Sequence, residues 1–254
     1  MKMERILWVA IVAGIVWALS NCKNLDTPAE DSGPSELIDL NNGKNASQVF
    51  VIDFEKGEKH NHPLMAVWAE DVNGKYIETF FVSKSIGKGI FDKASGGGGK
   101  WLPGPVRRPA ALPYWAHKRG VKEADGLYIP TPETPMPDAI AGATPRKDFR
   151  LIATPVTPSF PRIFHLLLEI NQSWDWNSYW TNDRFPDDPE YKTSSQPSVV
   201  YSAFVNLDDA TVKYHLNPIG HGHYSGKTGE LFTDLSTLTT ALEIAKKITV
   251  TVRK

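Results

Sequence analysis

Apolar and polar positions alternate in short runs over most of this 254-residue chain, and the runs are the length of strands rather than helices. Residues 49–52, 64–69, 76–82, 149–153, 162–170, 199–205, 210–216 and 248–252 each read as a strand. Between the second and third runs, Asn73-Gly74 supplies the pair of positive φ angles that a tight hairpin turn wants. Asn206, Leu207, Asp208 and Asp209 read as a second turn. Two segments have a helical look: residues 110–118, where Pro113 is tolerated only in a first turn, and residues 237–247. Many strands at short spacing, few helices and no strand–helix–strand rhythm predict an all-β fold. The expected architecture is an antiparallel β-sandwich of immunoglobulin-like character over residues 49–254. A long Pro/Gly-rich insertion, residues 85–137, should pass over one face or end of it. Its Trp101, Tyr114, Trp115 and Tyr128 imply that it packs somewhere.

The N-terminus follows a different pattern. A charged start, Lys2 to Arg5, precedes an unbroken apolar run over residues 6–19. That is the layout of a secretory signal, and the run is short for a membrane span, which needs about 20 apolar residues. Leu19-Ser20-Asn21-Cys22 follows and resembles the lipobox of bacterial lipoproteins, with Asn21 where that pattern prefers a small residue. The resemblance implies a signal peptide over residues 1–21, cleavage before Cys22, and acylation of Cys22. The chain has 1 Cys, so a disulfide within it is excluded and lipidation gives the lone thiol a use. Residues 22–48 are polar and broken by Pro28, Gly33 and Pro34, which predicts a flexible tether between lipid and domain. The expected location is extracytoplasmic, at a membrane held through the lipid.

Charge and composition narrow the function. A net charge of -1 provides no basic footprint for nucleic acid. No nucleophile elbow, phosphate-cradling loop or second cysteine is present, which leaves nucleophilic catalysis without support.

The sharpest motif is Asp138-Ala139-Ile140-Ala141-Gly142-Ala143-Thr144. It resembles the site at which flavin transferases attach FMN to extracytoplasmic redox proteins. By that resemblance Thr144 is the acceptor of a phosphoester-linked FMN, Asp138 the recognition acid, and Gly142 and Ala143 the small positions. Ala141 departs from the pattern, which favours Ser or Thr there. The order of His62 to Asp71, Asn73 to Thr79, Leu112-Pro113-Tyr114-Trp115 and the Asp138 segment is similar to the DUF2271 family of periplasmic domains over residues 49–252. That similarity implies association with flavin transferases and membrane redox modules, and hence a non-enzymatic electron carrier.

Two other classes compete. A cofactor-free binding or structural lipoprotein would use the aromatic cluster Trp174, Trp176, Tyr179 and Trp180 as a ligand or adhesion surface, or simply pack those rings. A metal-dependent enzyme would use the pairs His60/His62 and His221/His223. Alternation along a strand puts each pair on one face, and the two pairs suit zinc or copper if the fold brings them together.

Overall fold

The computed structural model describes residues 36–40, 48–95, 100–209 and 213–253. The signal segment, Cys22, most of the tether and the Gly96–Gly99 run lie outside the described residues.

The fold is an all-β sandwich. Its strands are β1 (Glu36–Asp39), β2 (Val49–Lys56), β3 (Leu64–Glu70), β4 (Tyr76–Ser83), β5 (Ile90–Ser95), β6 (Trp101–Pro105), β7 (Ala141–Gly142), β8 (Phe149–Ala153), β9 (Ile163–Asn171), β10 (Val199–Asn206), β11 (Lys213–His215), β12 (Asn217–His221) and β13 (Ala245–Arg253). A five-stranded sheet has the order β1-β8-β2-β13-β11, and a six-stranded sheet the order β12-β10-β9-β3-β4-β7. The inner pairings are antiparallel, as expected. Two edges are not: β1 runs parallel to β8, and β7 runs parallel to β4.

Side-chain alternation explains the main core. Phe50, Ile52 and Phe54 of β2 face Phe164, Leu166, Leu168 and Ile170 of β9 across the sandwich, all buried. Each fully buried Phe or Leu is worth about 1.5–3 kcal/mol in water removed from apolar surface.

The second sheet is buried on its outer face as well. Trp68, Val82, Leu167 and Val200 point outward into a second cluster with Ile86, Leu112, Trp115 and Ile129. The insertion supplies that cover. It contains α1 (Lys84–Lys88), the β5–β6 hairpin and α2 (Pro113–Arg119), in which Pro113 sits in the first turn. Cover on both faces is why β9 reads as a nearly continuous apolar run.

Three local expectations need correction. The β3–β4 turn uses one positive φ, at Gly74 (76°), and Asn73 is not left-handed. Asp71 closes a longer loop instead: its Oδ1 accepts the N–H groups of Asn73 (2.8 Å) and Lys75 (2.9 Å). Residues 36–39, read as tether, form β1, because Ile38 and Leu40 pack on the core beside β8. The segment 237–247 is not a helix beyond a 3-10 turn at Thr240–Glu243; from Ala245 the chain is β13, where Ile248, Val250 and Val252 need the core-facing alternation of a strand.

Candidate functional site

The Asp138–Thr144 segment lies along the outer edge of the six-stranded sheet. Val82 N–H donates to the Ile140 carbonyl at 2.9 Å, and Ala141 and Gly142 pair with Val82 and Ser83 of β4. Gly142 is required here. A Cβ added to it would lie 2.7 Å from the Phe81 ring, which is fully buried. Ala141 is buried against Gly87, whose own added Cβ would come within 3.2 Å of the Ala141 methyl. An apolar wall of Val82 and Met136 faces the same place, so a bare methyl fits where the acceptor pattern favours a hydroxyl.

Ala143 is exposed and Thr144 half-buried. The Thr144 hydroxyl donates to Ser83 Oγ at 2.8 Å, and Ser83 Oγ also accepts the Met65 N–H at 2.9 Å. Asp138 stands clear of the protein with 93% of its side chain exposed, held by the Lys88 ammonium at 2.7 Å. That hydrogen bond and charge keep its carboxyl below the usual range. Lys88 is itself fixed by the Met136 carbonyl at 2.6 Å. The structure thus brings Asp138, Gly142, Ala143 and Thr144 together on one accessible strip.

The Leu112–Trp115 motif does structural work. It starts α2, and three polar residues of the covered sheet, Glu169, Thr79 and Glu70, fasten that helix. Glu169 accepts the backbone N–H groups of Tyr114 (3.2 Å) and Trp115 (2.7 Å) and the Ser198 hydroxyl (2.5 Å). Trp115 Nε1 donates to Thr79 Oγ1 at 2.9 Å, and Lys118 pairs with the buried Glu70 at 3.1 Å. Complete burial of Glu169 pushes its pKa up to about 7, with Ser198 and the two N–H groups opposing the rise. Sequence reasoning missed Glu169. The available signal was a single carboxylate inside the apolar run of β9, on the face that Leu167 shares.

The histidine pairs do not assemble. His60 and His62 fall in an irregular connection, where strand alternation no longer applies. His60 is half-buried with its ring 5.8 Å from that of Phe54, and burial followed by the charge of Lys56 lowers its pKa. His62 is exposed at a φ of 53°. His221 ends β12 stacked on Phe232 at 5.3 Å, and His223 stacks on Tyr224 at 4.4 Å. Burial lowers both of their pKa values. Among the described residues no group of three His, Cys, Asp or Glu is arranged to hold a metal ion.

The loop after His221 has another role. A Cβ on Gly222 would meet Pro113 at 2.5 Å and Ser198 at 2.6 Å; one on Gly229 would meet His117 at 2.2 Å. The loop therefore presses against α2 and helps to enclose a cleft of about 550 Å³ lined by His117, Lys122, Tyr128, Lys227 and Thr228. The His117 and Tyr128 rings lie 4.2 Å apart, tilted by 32°, and His117 Nδ1 donates to the Pro113 carbonyl at 2.8 Å.

The aromatic cluster divides between the two readings given above. Trp180 is 7% exposed and packs near Tyr191, Tyr224 and His221, its Nε1 bonded to Thr237 at 3.1 Å. Trp174 and Trp176 remain over half exposed, at 56% and 53%.

Comparison with known protein families, with curated proteins and with solved structures finds no match.

Proposed function

We propose that this chain is a lipid-anchored extracytoplasmic electron carrier that holds FMN through a phosphoester on Thr144. The observation that carries the reading is the presentation of the motif. Asp138, the recognition acid, has 93% of its side chain in solvent, and the exposed Ala143 leaves the approach to Thr144 free of bulk. The segment is fixed at both ends, by Lys88 at Asp138 and by Ser83 at Thr144, so a modifying enzyme meets an ordered substrate.

The residues fit a phosphoester. The bond would form at Thr144 Oγ1 by transfer of the FMN phosphoryl group from a flavin adenine dinucleotide held by the transferase: the pyrophosphate bond breaks, the adenosine monophosphate leaves, and the Thr144 proton, now directed to Ser83, passes to the transferase's base. Losing that proton ends one hydrogen bond, while Ser83 keeps the buried Met65 N–H. FMN so bound supplies one- and two-electron chemistry, and an ester through the phosphate leaves the ring for the protein surface to tune. Acylation at Cys22 would confine the carrier to the membrane plane, raising its effective concentration near a membrane redox partner. Stable anchoring needs more than one acyl chain.

Co-expression with a flavin transferase and intact-mass analysis tests this. The expected result is a gain of one FMN on the peptide holding Thr144, absent from Thr144→Ala. An unmodified mass, with a known acceptor labelled in parallel, would overturn it.

One observation favours a second reading, a cofactor-free binding lipoprotein. The cleft of about 550 Å³ beside α2 combines the adjacent rings of His117 and Tyr128 with Lys122 and Lys227, features suited to a small planar anion. A chain that carries no FMN yet binds such anions in a Lys122-dependent way would select it.

A further inference from the structure

The sandwich is open along one side, where the chain leaves one sheet for the other. Strand β11 pairs with β13 in the five-stranded sheet, and β12 pairs with β10 in the six-stranded sheet. Leu216 is the single residue between them, tied to the Ile248 carbonyl at 3.0 Å. Among the described residues no strand bridges the two sheets there, and the β10–β12 register shifts between Val200 and Tyr201. A cleft of about 350 Å³ results, within the range of about 300–1,000 Å³ in which small-molecule sites fall.

Its chemistry is divided. Leu216, Leu235, Leu242 and Ile248 make apolar walls, and Tyr201 stands among them. Tyr201 is 5% exposed, yet its hydroxyl has no hydrogen-bond partner among the described residues. A buried hydroxyl is ordinarily bonded. This one is not sealed away, so it opens on the cleft. Its pKa is pushed up to about 12 by burial, so it is a hydrogen-bond donor at any physiological pH. The rim carries two exposed lysines, Lys246 and Lys247, which line the cleft. Glu55 pairs with Lys246. Lys247 has no ion pair among the described residues.

We infer that this cleft binds an amphiphilic carboxylate, a free fatty acid, with its chain along the leucine walls and its head group taken by the Tyr201 hydroxyl and Lys247. An apolar ligand without an acceptor would leave Tyr201 as it is. A cationic amphiphile would meet the wrong charge at the mouth. The site is separate from the Thr144 strip and independent of the FMN reading, since none of its lining residues belongs to that strip.

Calorimetric titration of the full chain with dodecanoate tests the inference, with dodecyltrimethylammonium as the charge-reversed probe. Saturable binding of dodecanoate is expected, at least tenfold tighter than the cation. Tyr201→Phe should weaken dodecanoate by roughly tenfold, the scale of one hydrogen bond to a charged group. Leu242→Trp, which fills the cleft from a half-buried wall position, should abolish the signal. Thermal melting of both variants shows that the fold is kept. Absence of saturable dodecanoate binding would overturn the inference. So would equal affinity in the wild type and both variants, which would place any binding elsewhere on the chain.

Discussion

Thr144 and Ser83 share a hydrogen bond of 2.8 Å, but they stand in different environments. Ser83 is fully buried and also receives the Met65 N–H, whereas Thr144 is half-exposed. Removing the Thr144 hydroxyl costs little, because Ser83 keeps its other partner. Removing the Ser83 hydroxyl strands a buried backbone donor, at a cost of about 1–3 kcal/mol. Urea unfolding should therefore show Ser83→Ala clearly destabilised and Thr144→Ala within about 0.5 kcal/mol of the wild type. Equal losses in the two variants would mean that Thr144, too, is structurally committed, and would weaken its case as an acceptor.

Gly142 separates the structural demand of the motif from its recognition. Gly142→Ala sets a methyl 2.7 Å from the buried Phe81 ring. Overpacking of this kind costs about 1–3 kcal/mol. β7 is a two-residue strand at the sheet edge and Phe81 is fully buried, so β7 should move rather than Phe81. The measurement is stability together with FMN incorporation. Loss of incorporation with a small fall in stability is expected; full incorporation would show that the transferase does not need β7 in place.

Much of the sandwich was legible in the sequence because most strands face one core and alternate accordingly. The β3–β4 hairpin, β8, β9, β10 and β13 fall close to where the pattern puts them. What was hidden depended on partners distant in sequence. Strand β1 is four residues long, and Ile38 acquires its meaning only beside Leu151 of β8. Nothing local in the insertion says that it covers the outer face of the six-stranded sheet, although its aromatic residues implied packing. At the sites, the Asp138–Thr144 strip was visible as a motif. Glu169 and Tyr201 were not, since burial and the absence of a partner are properties of the assembled fold. The histidine pairs misled for the same reason: His-x-His spacing implies one face only within a strand, and His60, His62 and His223 lie outside strands.

Tyr201 also makes a prediction about stability. Its hydroxyl has no hydrogen-bond partner among the described residues, and the residue is 5% exposed. Tyr201→Phe deletes a hydroxyl that opens on the cleft and keeps the ring against its neighbours in the core. The unfolding free energy should stay level or rise, by up to about 1 kcal/mol. A loss above about 1 kcal/mol would reveal a partner for the hydroxyl and remove the basis for a ligand there.

The completely buried Glu169 makes folding depend on pH. Its pKa is raised from 4.5 to about 7 in the folded protein, so the folded state binds more protons than the unfolded chain between those values. Stability must then fall as pH rises. The favourable contribution is complete below about pH 4.5 and lost as pH passes through about 7. The contribution is on the order of a few kcal/mol. The geometry gives the proton a place. Oε2 accepts the Trp115 N–H, while Oε1 faces the Ser198 hydroxyl, which can accept from a protonated carboxyl. Glu169→Gln should keep the amide oxygen toward Trp115 and the amide nitrogen toward Ser198, losing only the 3.2 Å bond in which Oε1 accepts the Tyr114 N–H. Its unfolding free energy should vary less between pH 5 and 8 than that of the wild type. Glu169→Ala leaves the two α2 N–H groups without an acceptor and should lose several kcal/mol at every pH. Urea unfolding of the three proteins across that range checks the argument. A wild-type profile as flat as that of Glu169→Gln would mean that the carboxylate stays ionised in the fold, held by its three donors strongly enough to offset burial.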